Sequence, residues 1–265
     1  MRWDGHDPHT INASRPERQH VVYAAGLAVR RVAPGAVEMV GCRLVPVSRH
    51  PKTPTMPDAE ALQPPPLILA SQSPRRAELI GRLGLAFETL PADIDESYLG
   101  DEMPAAHAER LAREKAVTIA RGRPEALVVG SDTIVVLGSD VLGKPRDDAE
   151  AVEMLLRLSG RDHEVHTGIA VAQGDRIESG LERVRVRFRT LDRAECEEYV
   201  ATREPMDKAG AYGIQGFGSS IVERIEGDYF AVMGLPVVRM LSLVRTVALL
   251  GEVGVSYAFG AGARE

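Results

Sequence analysis

Leu67-Ile68-Leu69-Ala70-Ser71-Gln72-Ser73-Pro74-Arg75-Arg76 reads as a buried strand turning directly into a helix, and this junction decides the fold. Four consecutive apolar residues suit a strand covered on both faces. Ser73 stands at the N-cap position and Pro74 at the first helical position, where a missing N–H costs nothing; the helical pattern runs to Gly84. The same alternation continues downstream. Residues 126–129 form a second apolar run, and helix signals occupy 104–120 and 147–158. Strands interleaved with helices indicate an α/β architecture.

The rest of the pattern is consistent with this. Residues 134–137, with Val141 and Leu142, predict a hairpin turned at Gly138, Ser139 and Asp140, and 163–172 predict another strand. His163 and His166, three apart on that strand, point to opposite faces and are read as structural. Arg183, Arg185, Arg187 and Arg189 alternate with Val184, Val186 and Phe188, the period of a strand with one buried face. The arginines could form a nucleic-acid stripe or a solvated face, and the net charge of -6 favours the solvated face. Asp192 and Glu195 form a capping box for a helix reaching Ala201. A strand pair is expected to flank Gly227, with an apolar helix over 236–250.

Composition bounds the function. In 265 residues, 44% hydrophobic content suffices for a buried core, while the acidic balance repels nucleic acid and anionic membrane, so neither is expected as a partner. Cys42 and Cys196 form no CxxC pair, which leaves no basis for a disulfide framework or zinc knuckle and fits a reducing cytoplasm. The apolar run at 21–29 is too short to span a membrane and follows a long polar segment, unlike a signal peptide. The first sixty residues lack sustained periodicity and leave through Pro51, Pro54, Pro57 and Pro64 to Pro66. Residues 1–62 are therefore expected to be an extension, either disordered or upstream of a true start at Met56. The folded domain is expected over 63–251, with 252–265 as a tail.

Three stretches carry chemistry. Ser71, Arg75 and Arg76 surround a helix N-terminus, whose free N–H groups suit phosphate; a capped helix with solvated arginines explains the same residues equally well. Gly130-Ser131-Asp132-Thr133 sets a carboxylate at the end of a buried run, where it can hold Mg²⁺, take a proton from water, or merely form a turn. Lys115 and Lys144 offer point charges for a polyphosphate, and Asp93, Asp95 and Glu96 offer hard oxygens for a divalent ion. The glycine-studded stretch Asp207-Lys208-Ala209-Gly210-Ala211-Tyr212-Gly213-Ile214-Gln215-Gly216 can bring backbone close to a flat ligand, with Gln215 presenting both donor and acceptor to a base edge. Neither GxGxxG nor a Walker motif occurs.

In order and spacing, these stretches together with Gly143-Lys144-Pro145 and the segment from Gly227-Asp228-Tyr229 to Gly234-Leu235-Pro236 resemble the Maf nucleotide pyrophosphatases. The resemblance covers roughly residues 67–250. It implies a mixed central sheet with flanking helices, two lobes around a nucleotide-binding cleft, dependence on Mg²⁺ or Mn²⁺, and cleavage of nucleoside triphosphates between the α and β phosphates. It assigns Asp132 as proton acceptor or metal-linked base and Glu96 as its acidic metal partner. Ser71, Arg76, Lys115 and Lys144 become phosphate contacts. Arg75, Thr133 and Gln215 side with the branch acting on dTTP and UTP, where a branch acting on 7-methyl-GTP shows Trp, Gln and Glu. A homodimer is common in the family. The competing expectations are a 7-methyl-GTP or modified-nucleotide preference on the same fold, or a nucleotide-binding regulator of cell division.

Overall fold

Alternate residues of a strand emerge on opposite faces, so a run that is apolar at every position needs cover on both sides. The computed structural model, which describes residues 64–249, supplies that cover. The expectations for 1–62, including Met56 and the run at 21–29, and for 252–265 lie outside the described residues. In chain order the elements are β1 (Leu67–Leu69), α1 (Pro74–Arg82), β2 (Glu88–Thr89), α2 (Pro104–Gly122), β3 (Leu127–Leu137), β4 (Asp140–Leu142), α3 (Asp148–Leu158), β5 (Asp162–Gln173), β6 (Arg176–Phe188) and α4 (Arg193–Ala201). Three 3-10 turns follow at Glu204–Asp207, Ala209–Ala211 and Gly216–Ser220, and β7 (Val222–Glu226), α5 (Tyr229–Val232) and α6 (Val237–Leu249) complete the described chain.

The strands form one mixed sheet of order β2-β1-β3-β5-β6-β7, with β4 paired to β3. β1 runs parallel to β2 and β3, and the other pairings are antiparallel. Leu67, Leu69, Leu127, Val129, Ile169 and Val171 meet α1 and α6 on one face. On the other, Ile68, Val128, Ala170 and Ala172 meet Ala112, Ala116 and Ala120 of α2. A further core gathers Val135, Val165, Val184, Val186 and Phe188 beneath α3 and α4. Strands β3, β5 and β6, of 11, 12 and 13 residues, are long enough to serve both cores, at about 3.4 Å per residue. Two lobes result, with a cleft where the long strands pass from one core to the next.

α2 lies unusually close to the sheet. A Cβ on Gly130 would stand 2.2 Å from the Ala112 carbonyl oxygen, and one on Gly168 2.1 Å from that of Ala108. Gly168 pairs with Asp132 across β3 and β5, so this alanine and glycine seam sets the height of α2 beside that residue.

Local signals map closely onto the elements. Asp147 caps α3 through the Glu150 N–H, the Asp192 and Glu195 capping box opens α4, and the hairpin of β3 and β4 forms as expected. Two details differ. Ser73 occupies the N-cap of α1 without a side-chain cap bond; its own N–H donates to the Ser71 hydroxyl instead. The strand pair expected around Gly227 is β7 alone, because Asp228 accepts a hydrogen bond from the Phe230 N–H and nucleates the short α5. Three of the four arginines of the stripe are met by carboxylates: Arg185 by Glu226, Arg187 by Glu223 and Asp162, and Arg189, just past the end of β6, by Glu195. Among the described residues, no helix is long and apolar enough to cross a membrane.

His163 is buried against the core beneath α3 and α4, with Nε2 2.8 Å from the Tyr212 hydroxyl and edge-on rings of Phe188 and Tyr212 beside it. Burial disfavours the charged imidazolium and pushes its pKa down to about 4. The unfolded chain, with an ordinary histidine pKa near 6.5, therefore takes up this proton first as pH falls. Stability from this group is complete above the unfolded value and is lost as pH drops from about 6.5 to 4, by about 3 kcal/mol in all. Thermal melts across that window should show the loss. His163→Gln, which cannot titrate, should flatten the profile there; an unchanged slope would refute the assignment.

Candidate active site

The seam just described carries the central feature of the cleft. With α2 held low over β3, Lys115 reaches Asp132, and its Nζ donates to Asp132 Oδ1 at 2.7 Å and lies 2.7 Å from Glu96 Oε1. One ammonium thus bridges two carboxylates. Lys115 and Asp132 are buried, whereas the Glu96 side chain is 58% exposed, so the trio opens to solvent at the Glu96 end. Burial alone would raise the Glu96 pKa, but the Lys115 hydrogen bond and charge, with Lys144 and Arg76 nearby, bring it below the ordinary value. Asp132 Oδ2 has no hydrogen-bond partner among the described residues.

Thr133 emerges on the opposite face of β3 and meets the turn of α1. Arg76 fixes this corner: Nε donates to the Gly234 carbonyl at 2.8 Å, one terminal nitrogen donates to the Ser71 hydroxyl at 3.1 Å, and the other to the Thr133 hydroxyl at 3.2 Å. Burial lowers the Arg76 pKa, while Asp132 acts in the opposite sense. The Thr167 hydroxyl lies 2.8 Å from the Ala231 carbonyl and 3.1 Å from Thr133 Oγ1, closing the network beneath. Arg75 reaches across the opening to Asp207 at 2.8 Å, and Asp207 also holds Lys208 at 2.7 Å.

The resulting cleft has a volume of about 810 Å³, and all nine residues singled out from the sequence (Ser71, Arg75, Arg76, Glu96, Lys115, Asp132, Thr133, Lys144 and Gln215) line it. Lys144 is exposed and makes no ion pair among the described residues. Asp93 and Asp95 do not line the cleft; Asp95 instead accepts from the Ser97 N–H at 2.9 Å. No group of three or more His, Cys, Asp or Glu poised to hold a metal occurs among the described residues; four carboxylates line the cleft, Glu96 and Asp132 joined through Lys115, Glu204 bonded to backbone N–H groups and Asp207 paired with Arg75 and Lys208.

Sequence reasoning missed Glu204 and Tyr199. Both engage the glycine-studded segment, through the N–H groups of Gly213, Phe217 and Gly218. The glycines of 207–216 signalled a close approach of backbone to a ligand, but nothing local named a carboxylate that would approach them.

A family model described as Maf-like protein matches residues 66–247. The dTTP/UTP pyrophosphatase of Aquifex aeolicus is 44% identical over 184 residues, 69% of this chain and 96% of the relative. That of Moorella thermoacetica is 53% identical over 180 residues, 67% of this chain and 93% of the relative. Among solved structures, that of a HAM1 protein from Coxiella burnetii aligns over 71% of this chain and 98% of its own, at 18% identity and a TM-score of 0.34, too weak a likeness to argue from.

Proposed function

The chain belongs to the Maf-like family, and from that premise we propose that it hydrolyses dTTP and UTP to the nucleoside monophosphate and pyrophosphate. The observation that carries this reading is the Glu96, Lys115 and Asp132 cluster, set in one cleft with the Arg76 corner and the unpaired Lys144.

Hydrolysis at the α-phosphorus needs a water to lose a proton as it attacks and a pyrophosphate to leave with added negative charge. Asp132 answers the first need through its free Oδ2, which can take the proton of a water placed against the α-phosphate. Lys115, Lys144 and Arg76 answer the second by lining the path of the polyphosphate with positive charge. The donor chemistry also fits a divalent ion: Glu96 and Asp132 are hard carboxylates held close together through Lys115, and with no cysteine or histidine on the cleft wall they suit Mg²⁺ or Mn²⁺, with substrate phosphates completing the shell. Glu96 and Asp132 would hold that ion, which when bound neutralises phosphate charge and polarises the scissile phosphorus.

Base recognition falls to the far wall. Thr133 is committed to Arg76, and Arg75 to Asp207, whereas the Gln215 amide has no hydrogen-bond partner among the described residues. It can therefore offer both donor and acceptor to a pyrimidine edge. Pyrophosphate release should be measured across a panel of triphosphates with Mg²⁺ and with Mn²⁺. dTTP and UTP should be preferred, and a chelator should abolish turnover. Release of orthophosphate, or a preference for 7-methyl-GTP, would refute the reading.

A further inference from the structure

Glu204 lies at the start of a 3-10 turn that lines the cleft, and its carboxylate is surrounded by donors from the segment that carries Gln215. Oε2 accepts the Phe217 N–H at 2.9 Å, and Oε1 accepts the Gly218 N–H at 3.1 Å and the Tyr199 hydroxyl at 2.8 Å. The Tyr199 oxygen in turn accepts the Gly213 N–H at 3.1 Å. One carboxylate therefore ties down both sides of Gln215, directly at residues 217 and 218 and through a tyrosine at 213. The fit is tight. Gly216 has φ +59°, and a Cβ there would stand 2.4 Å from Glu204 Oε2, so the chain can wrap the carboxylate only as glycine. The Glu204 carbonyl accepts from Lys208 Nζ, which anchors the turn from below.

We propose that Glu204 is the positioning residue for base selection: it holds segment 213–218 so that the Gln215 amide meets the nucleobase in one fixed orientation. This rests on the reading of Gln215 as the base contact. A fixed amide discriminates because a base with the wrong donor and acceptor order leaves buried groups unpaired, while a mobile amide can turn to suit either. Glutamine at 204 cannot substitute. Its NH₂ end would face backbone N–H groups where the second carboxylate oxygen now accepts. Because the carboxylate touches neither Asp132 nor Lys115, its loss should act on the base end of the substrate alone.

The test uses the full chain and two inhibitors, UMP, which carries the base, and pyrophosphate, which does not. Loss of charge-assisted bonds should raise the KM for UTP and the UMP inhibition constant by about ten- to a hundred-fold in Glu204→Gln and narrow the UTP to CTP preference. The UTP kcat and the pyrophosphate inhibition constant should stay within about three-fold, close to the limit at which such free-energy differences become negligible. If Glu204→Gln does not fold, as judged by its thermal melt, Tyr199→Phe removes the hydroxyl that joins Glu204 to Gly213, leaves the Phe217 and Gly218 bonds in place, and should show the same pattern more weakly. A parallel rise for pyrophosphate, or a fall in kcat alone, would mean that Glu204 supports the whole cleft and would overturn the proposal. Gln215→Ala separates the premises. If it weakens UMP binding while both other variants behave as wild type, the role of Glu204 fails and the base contact stands; if it changes nothing, both fail.

Discussion

Asp132→Asn should lower kcat by about 10² to 10⁴, the usual worth of general-base catalysis, with a further loss from the weakened metal contact. The amide preserves size and can still accept from Lys115 Nζ, and Glu96 remains as that ammonium's carboxylate partner, so the fold should survive. Triphosphate should still bind through Arg76 and Lys144. Steady-state kinetics, a binding measurement and a thermal melt check the three parts. Retention of more than about a tenth of wild-type kcat would be well short of the expected loss and would reduce Asp132 to a structural anchor for Lys115.

Gly168→Ala should be as damaging to folding as that change is to turnover. The added methyl group would meet the Ala108 carbonyl at 2.1 Å and the Glu109 nitrogen at 2.7 Å, both backbone atoms of α2, so no side chain can turn aside. Overpacking of this kind costs about 3 kcal/mol or more, which for a domain of this size lowers Tm by roughly 6–12 °C. Relief requires lifting α2, which draws Lys115 away from Asp132. Activity measured well below the melting temperature should therefore fall too, a loss that simple destabilisation would not produce. A variant with wild-type Tm would show that the seam is looser than the geometry implies.

What was legible in the sequence was local. The strand into helix at 67–84, the Asp147 cap, the capping box at Asp192 and the β3 to β4 hairpin depend on residues within a few positions of one another, and each formed. The nine candidate residues line one cleft, but chemistry alone offered Asp93, Asp95 and Glu96 alike, and it was the family resemblance that singled out Glu96. What escaped was relational. Gly130 and Gly168 look like ordinary glycines until α2 is laid on them, and Arg76 gives no sign of its bond to the Gly234 carbonyl 158 residues away. Glu204 sits outside every recognisable motif, yet its bonds reach 14 residues along the chain. The strand expected after Gly227 failed for the converse reason: an apolar run reads alike as strand or helix, and the Asp228 cap decides it.

The long central strands also limit how the enzyme can move. β3 and β5 are paired without interruption from Val128 opposite Ala172 to Val136 opposite Glu164, straight across the floor of the cleft. A hinge between the lobes would have to break that ladder, so the floor behaves as a stiff beam and the distance between its two ends is set once, at folding. Adjustment to an incoming nucleotide is then left to the rim that bears Glu96, since the turns from Glu204 to Ser220 on the other side are pinned by the Glu204 carboxylate. Such an enzyme measures its substrate with one edge against a fixed ruler.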